Sequence, residues 1–337
     1  MTLDLDAIRF IGDGLRRPEC AVAHESGLVL VPDWTPPGGI SVIAPSGRTH
    51  RLLATAAGPG VETPVRPNGI ALEPGGTILL AHLGEERGGI FRLHADGRCD
   101  LVTDEIDGAP MPPANFVLPD SRGRLWITVS TTRVPRALDY RPDAASGVVA
   151  LHAEGRTRSV ASGLGYTNEC LLSEDERTLF VNETFARRLT AYDIEGDALT
   201  RPRVLARFGA GQFPDGLAPV ADGSLVVTSI VSNALLRVSP DGGVETLLED
   251  AEADHVAWVE GAFQRGQMGR PHLDGVRSRV LRNVSNLAFM GPDLRTACLG
   301  CLLGDRLATL PMPFAGRALP HWRADLGPLT RYLEERS

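Results

Sequence analysis

The feature that most constrains this chain is a pattern that recurs six times along it. Each copy begins with a polar residue, continues with a short apolar run, turns through Pro, Asp and Gly, and ends with a second apolar run, as in FPDGLAPVADGSLVVTS at 213–229. The polar positions are Glu19, Asn68, Asn115, Asn168, Asp215 and Asn286. Their successive separations are 49, 47, 53, 47 and 71 residues. Units of this length built from short strands are typical of β-propeller blades.

A second pair of strand-like segments follows each copy, such as GGIFRLHADGRCDLVTD at 88–104. The sequence therefore predicts an all-β fold, a six-bladed β-propeller with four-stranded antiparallel blades. The last copy lacks an outer strand, and we expect AIRFIGDG at 7–14 to supply it, which closes the ring and removes free edges. We expect a single propeller domain over 1–337, with an insertion at about 251–282 near blades five and six that forms a lid or an interface.

Composition and charge exclude several classes of function. The 337 residues carry a formal net charge of −8, which argues against nucleic acid as a partner because phosphate binding needs a basic surface. No apolar run approaches the roughly 18 residues of a membrane span, and the N-terminus has no signal-peptide pattern. The five cysteines are scattered and odd in number, which predicts a reduced protein in the cytoplasm.

The polar positions are expected to meet at one mouth of the propeller channel, because each one begins the innermost strand of its blade. Two of them, Glu19 and Asp215, are carboxylates that would repel each other across a narrow axis unless a cation lay between them. Carboxylate and amide oxygens suit Ca²⁺, Mg²⁺ or Mn²⁺ and tolerate Zn²⁺. The alternative is that these residues only cap strand starts through local backbone hydrogen bonds. That alternative stays open, particularly for Asn68 and Asn286.

Two further residues are candidates because of where their loops lie. The segments 82–88 and 130–133 follow the second strand of their blades and should return to the same mouth as the polar positions. On that placement alone, His82 and Arg133 are predicted to contact a substrate. The chain has no G-x-S-x-G, no H-E-x-x-H and no suitably placed G-x-G-x-x-G, which leaves serine-hydrolase, zinc-peptidase and nicotinamide chemistry without support.

Four segments resemble the senescence-marker-protein (regucalcin)/gluconolactonase/luciferin-regenerating enzyme family. They are PEC at Glu19, PAN at Asn115, YTNECLLSEDERTLFVNETFARRLTAYDI at 166–194 and FPDGLAPVADGSLVV at 213–227. The resemblance implies one divalent metal held by Glu19, Asn168 and Asp215, with Ca²⁺ preferred and Zn²⁺, Mn²⁺ or Mg²⁺ as alternatives. It also implies that Asn115 lies beside metal and substrate, and that Asp215 is the general base. One departure is Pro113, where similar sugar lactonases often carry Arg.

The resemblance and the residues together predict a metal-dependent hydrolase that opens a lactone, either sugar-type or another small lactone. The metal would polarise the carbonyl, and Asp215 would take a proton from the attacking water. The expected partner is a small molecule, with no nucleic acid and no membrane, and the protein is expected to be a monomer or a homodimer. Alternatives are an isomerase, a condensing enzyme, another ester hydrolase, or a propeller that binds without catalysis.

Overall fold

The computed structural model describes residues 2–275 and 277–335 as six four-stranded blades around a channel. In blades one to five the strands lie in sequence order from the channel outward, and neighbouring strands pair antiparallel. The structure confirms the predicted six-bladed all-β propeller.

The strands are numbered along the chain, starting with the closing strand β1 (Arg9–Ile11). Blade one is β2 to β5, with bounds Val22–Ala23, Val29–Asp33, Gly39–Ile43 and Thr49–Leu53. Blade two is β7 to β10, Pro67–Leu72, Ile78–Leu83, Gly88–Leu93 and Arg98–Thr103, flanked by the short β6 (Ala56–Ala57). A two-stranded ribbon, β11 (Glu105–Ile106) and β12 (Ala109–Pro110), precedes blade three.

Blade three is β13 to β16, Ala114–Pro119, Leu125–Val129, Gly147–Ala153 and Arg156–Leu164. Blade four is β17 to β20, Thr167–Leu172, Thr178–Glu183, Arg188–Glu195 and Ala198–Arg207. Blade five is β21 to β24, Gln212–Pro219, Leu225–Val231, Ala234–Val238 and Val244–Glu249. Blade six contains β25 to β27, Val284–Met290, Thr296–Cys301 and Leu307–Pro311.

The N-terminal strand closes the ring as predicted. Strand β1 pairs antiparallel with β27, with Phe10 opposite Ala308, and so forms the outer strand of blade six. The first and last strands of the propeller therefore share one sheet, which removes an unpaired edge.

Burial falls from the channel outward. All six residues of β7 are buried, whereas most of β20 is exposed or half-buried. The apolar residues of the inner strands pack between adjacent blades, and Trp126, Phe91 and Phe213 are among the largest side chains that are completely buried. This packing makes the inner strands a firm frame for side chains at the channel mouth.

The helices lie outside the blades, at the two ends of the channel. Helices α1 (Ala253–Gln264) and α2 (Arg270–Asp274) belong to the insertion, and α3 (Pro328–Glu334) ends the described chain. Short 3₁₀ turns occupy Leu5–Ala7, Arg136–Asp139 and Pro320–Arg323. No helix in the described ranges is long and apolar enough to cross a membrane.

Candidate functional site

The innermost strands depart from regular pairing where their polar residues lie. In β21 the pairing passes from Pro214–Ser229 to Leu217–Val227, so that Asp215 and Gly216 together face Thr228. Similar irregularities occur in β7, β13, β17 and β25. A β-bulge of this kind re-aims a side chain, which explains how a carboxylate at the start of a buried strand faces the channel instead of the core.

The re-aimed side chains line a small cavity of about 40 Å³ at one mouth of the channel. Its acidic and amide residues are Glu19, Asn68, Asn115, Asn168 and Asp215. Its wall also contains three arginines and two tyrosines, which are Arg17, Arg136, Arg270, Tyr140 and Tyr166. The structure thus brings together the three predicted metal ligands and Asn115.

Hydrogen bonds to Asn182 and Thr184 hold Asn168 and Asp215 in place. The amide nitrogen Nδ2 of Asn168 donates to Thr184 Oγ1 at 3.1 Å, and that hydroxyl donates to the Pro214 carbonyl at 2.8 Å. Asn182 Nδ2 donates to the Asp215 carbonyl at 3.0 Å. Because Asn168 uses its nitrogen for this support, its amide oxygen remains the atom available for a ligand.

Two other amide oxygens in the ring lack partners. Within the described residues, Oδ1 of Asn68 and Oδ1 of Asn115 are buried without a hydrogen bond. The Asn68 amide nitrogen donates to the Asn115 backbone carbonyl at 3.1 Å, which fixes its orientation. A buried acceptor without a partner is costly, and a cation or a substrate hydroxyl would satisfy it.

Electrostatics also favour a cation at this mouth. Asp215 is only 3% exposed, and burial, followed by the charges of Glu19 and Glu169, raises the pKa of its carboxyl well above the ordinary value. Glu19 accepts a hydrogen bond from Arg17 Nε at 2.8 Å. No cluster of three or more His, Cys, Asp or Glu in the described ranges could hold a metal, so a metal here depends on the amides. Two carboxylates with amide oxygens make a donor set that fits Ca²⁺.

A third buried carboxylate, Glu169, lies next to Asn168 and was missed by the sequence analysis. Its Oε1 accepts from Asn286 Nδ2 at 2.8 Å, and its Oε2 accepts from the Leu217 amide at 3.0 Å. Burial raises the pKa of Glu169 to about 8. A comparison of the repeats could have identified Glu169, because the position after the polar residue is a glycine in two other blades, Gly69 in blade two and Gly216 in blade five. A Cβ at Gly216 would lie 2.5 Å from the Asn286 Cα, so only a glycine fits there.

Asn286 differs from the other polar positions because it does not line the mouth cavity. Its amide nitrogen binds Glu169, and its Oδ1 accepts from the Ala21 amide at 2.8 Å. With Glu169 it lines a larger cavity of about 600 Å³ on the opposite side, beneath the C-terminal segment. That cavity is mostly apolar, whereas the smaller one is lined by the two carboxylates and three amides named above. We therefore place the candidate active site at the smaller cavity.

His82 belongs to a strand and not to a loop, opposite Pro67 of β7. It is part of β8 and is 1% exposed, and its Nδ1 accepts from the Arg66 amide at 3.0 Å. Its ring contacts Phe91 with centroids 5.2 Å apart, and burial lowers the pKa of the imidazole. Since His82 is not among the described residues that line the mouth cavity, its predicted contact with substrate gains no support and stays a prediction.

Among the described residues, Arg133 does not line the mouth cavity either. Its side chain is 47% exposed and pairs with the buried Asp139 at 3.2 Å. This pair anchors the loop after β14, whose 3₁₀ turn presents Arg136 to the cavity. A role for Arg133 in binding substrate remains a prediction, whereas Arg136 and Tyr140 were missed because loop conformation sets their direction.

The insertion brings its own residues to the mouth. Arg270 and Leu273 of α2 line the cavity, while α1 packs beneath them through the buried Phe263. The Phe263 ring meets Phe213 edge-on with centroids 5.0 Å apart. The guanidinium of Arg187 lies 4.3 Å from the Phe263 centroid and pairs with Glu260 of the same helix.

Truncating Phe263 to alanine is expected to lower the free energy of unfolding by about 3–5 kcal/mol, because it removes a large buried ring between α1 and blade five. Urea denaturation measures this loss. Trp258→Ala on the same helix is the matched control, since that ring is 48% exposed and mainly stacks on His272. Equal losses from the two substitutions would show that α1 is not anchored through Phe263.

A six-bladed propeller with acidic and amide side chains at one channel mouth defines a recognisable class of propeller proteins. Within that class, this chain belongs to the SMP-30/Gluconolactonase/LRE-like family, whose model matches residues 17–258. The matched span includes Glu19, Asn115, Asn168 and Asp215. The match confirms the family resemblance predicted from the sequence.

Individual relatives are distant. A gluconolactonase from Zymomonas mobilis is 26% identical over 227 residues, which cover 65% of this chain and 60% of that protein. The solved structure of a gluconolactonase from Xanthomonas campestris has a TM-score of 0.66 at 19% identity and covers 91% of this chain and 89% of that one. Regucalcin from Agrobacterium tumefaciens, a calcium-binding protein, has a TM-score of 0.64 at 16% identity and covers 93% and 98%. At these identities the structural likeness establishes the fold.

Proposed function

We propose that this protein is a divalent-metal-dependent lactonase that hydrolyses a small lactone. The observation that carries the proposal is the convergence of Glu19, Asn168 and Asp215, with Asn115, on one buried cavity. Family membership and a relative named gluconolactonase support the reaction class. The likeness to a calcium-binding regucalcin supports Ca²⁺ as the first metal to test, with Zn²⁺, Mn²⁺ and Mg²⁺ as alternatives.

In the proposed site, Glu19, Asn168 and Asp215 hold the metal through oxygen atoms. When bound, the metal supplies a Lewis acid that polarises the lactone carbonyl. Asn115 offers its unpartnered Oδ1 or its amide nitrogen beside the metal, where it can orient the substrate. The arginines and tyrosines around the cavity limit the size and charge of what can enter.

Asp215 is the proposed general base. It accepts a proton from water while the water oxygen bonds to the carbonyl carbon. The ring carbon–oxygen bond then breaks, and the leaving alkoxide takes up the proton that Asp215 had accepted, so that one lactone and one water become one hydroxy acid. Because Asn182 and Thr184 fix the backbone on both sides of its carboxylate, Asp215 has little freedom to move away from the water.

The proposed partner is a small molecule, and a monomer or homodimer in the cytoplasm is the proposed state. The five cysteines are all buried and free in the described structure, which agrees with a reducing compartment.

The test is hydrolysis of a panel of lactones and acyclic esters by protein freed of metal and then reloaded. We expect saturable lactone hydrolysis that falls at least about tenfold on removal of metal and returns with Ca²⁺ or one of the alternatives. Elemental analysis of each sample establishes its metal content. Undiminished turnover by verified metal-free protein would contradict the metal role. Failure to hydrolyse any lactone with any of the four metals would contradict the proposed reaction.

A further inference from the structure

Three arginines surround the mouth of the proposed active site, and each comes from a different part of the chain. Arg17 precedes blade one, Arg136 lies in the 3₁₀ turn after β14, and Arg270 begins α2 of the insertion. All three line the same cavity as Glu19 and Asp215. A neutral sugar lactone needs no such concentration of positive charge.

The three arginines differ in whether a carboxylate bonds them, and this difference indicates a ligand. Arg17 bonds Glu19 at 2.8 Å, and Arg270 Nε bonds Asp274 at 3.2 Å. Arg136 is half-buried beside Tyr140 and Tyr166, and in the described part of the chain it makes no hydrogen bond and no ion pair. The nearby charge of Glu19 stabilises this guanidinium, but no acceptor within the described residues bonds it, and a bound anion would supply one.

Charge balance leads to the same conclusion. A divalent cation would neutralise Glu19 and Asp215, and Asp274 already balances Arg270. Arg17 and Arg136 would then give the mouth a charge of about +2, or about +1 if Glu169 on the far side is ionised. This positive mouth belongs to a chain whose formal net charge is −8. A local field of opposite sign to the whole protein concentrates anions at the site.

We propose that the substrate is an anionic lactone, and that Arg136, assisted by Arg270, binds an oxyanion substituent outside the lactone ring. A carboxylate is the substituent that fits best, because a planar guanidinium matches its two oxygens and the cavity is small. The proposal rests on the proposed lactonase function for the reaction, but the anion site itself depends only on the arginines. It also gives a reason why Pro113 is tolerated, since the positive charge comes from other loops.

The first test compares two lactones of the same shape, a five-membered lactone with a ring carboxylate and the same lactone with a neutral carboxamide. In Arg136→Gln, kcat/KM for the carboxylate lactone is expected to fall about tenfold or more, mainly through KM, because a charged hydrogen bond is lost. The carboxamide lactone should change less than about twofold. Arg136→Lys should restore part of the loss, since it retains the charge without the fork geometry.

Arg177→Gln provides the matched control for net charge, because that side chain is 84% exposed in the β17–β18 turn, on the side away from the mouth. It should leave both lactones unchanged. Equal losses for the two lactones in Arg136→Gln would show that Arg136 acts on the reacting carbonyl or the product carboxylate, and would overturn the proposal. No loss for either lactone would overturn it as well.

A second measurement does not depend on turnover. Methanesulfonate and methanesulfonamide have the same shape, but only the first is an anion at neutral pH. Calorimetry at saturating Ca²⁺ should show that methanesulfonate binds and methanesulfonamide does not, and that Arg136→Gln weakens methanesulfonate about tenfold. If methanesulfonate binds in this way but no lactone is hydrolysed, the anion site stands and the lactonase function fails. If lactones are hydrolysed but methanesulfonate binding is absent or independent of Arg136, only the anion site fails.

Discussion

Replacing Asp215 with asparagine is expected to lower lactone turnover by about 100-fold or more, even at saturating metal. The substitution preserves the shape of the side chain and one oxygen ligand, and the bonds from Asn182 and Thr184 to the neighbouring carbonyls should keep the strand in place. What it removes is the negative charge and the ability to accept a proton. The measurement is kcat for the best lactone across a Ca²⁺ titration of wild type and variant.

Asn286→Ala is the matched control for that experiment, because Asn286 occupies the same position in another repeat. Its amide is used by Glu169 and the Ala21 backbone and lies outside the mouth cavity, so a much smaller loss of turnover is expected. Recovery of full turnover by Asp215→Asn at saturating metal would show that Asp215 is only a ligand, with Glu19 the next candidate base. If Asn286→Ala lowered turnover more than Asp215→Asn, the catalytic role would have been assigned to the wrong repeat.

Replacing Glu19 with glutamine is expected to weaken Ca²⁺ binding roughly 100-fold, because the ligand charge count strongly controls affinity at oxygen sites. Turnover should recover at high metal, in contrast to Asp215→Asn, since Glu19 has no proposed role in proton transfer. Calorimetric Ca²⁺ titration of each variant measures the affinity.

Glu169→Gln is the control for removing a buried carboxylate on the same axis. Both Glu169 oxygens already accept hydrogen bonds, from Asn286 and the Leu217 amide, so a smaller change in Ca²⁺ affinity is expected. A greater loss from Glu169→Gln than from Glu19→Gln would move the metal away from the mouth, toward the opposite cavity.

The sequence was sufficient to predict the blades, because each copy of the repeated pattern forms the same set of paired strands. It also predicted that Glu19, Asn115, Asn168 and Asp215 would share one mouth, since the start of an innermost strand has the same place in every blade. The bulges that aim Asn115, Asn168 and Asp215 into the channel could not be inferred from composition or periodicity, because a bulge is a property of the register between two strands.

The residues that were missed depend on conformations that a single sequence does not determine. Arg136 and Arg270 reach the mouth through a 3₁₀ turn and an inserted helix. His82 was assigned to a loop, but β8 extends to Leu83 and keeps its ring between strands. Glu169 was passed over because Asn168, one residue earlier, already filled the expected position. In each case the direction of the side chain is set by local backbone geometry or tertiary packing.

The most direct test of the central claim is to locate the metal by anomalous diffraction from crystals grown with Mn²⁺. We predict one strong anomalous peak at the mouth, within about 2.0–2.6 Å of side-chain oxygens of Glu19, Asn168 and Asp215, which is the range of Mg²⁺ and Ca²⁺ contacts with oxygen ligands. A peak bound instead by Glu169 in the opposite cavity would contradict the assignment of the ligands. No peak at all in crystals of protein that hydrolyses lactones would contradict the claim that this ring of oxygens is a metal site.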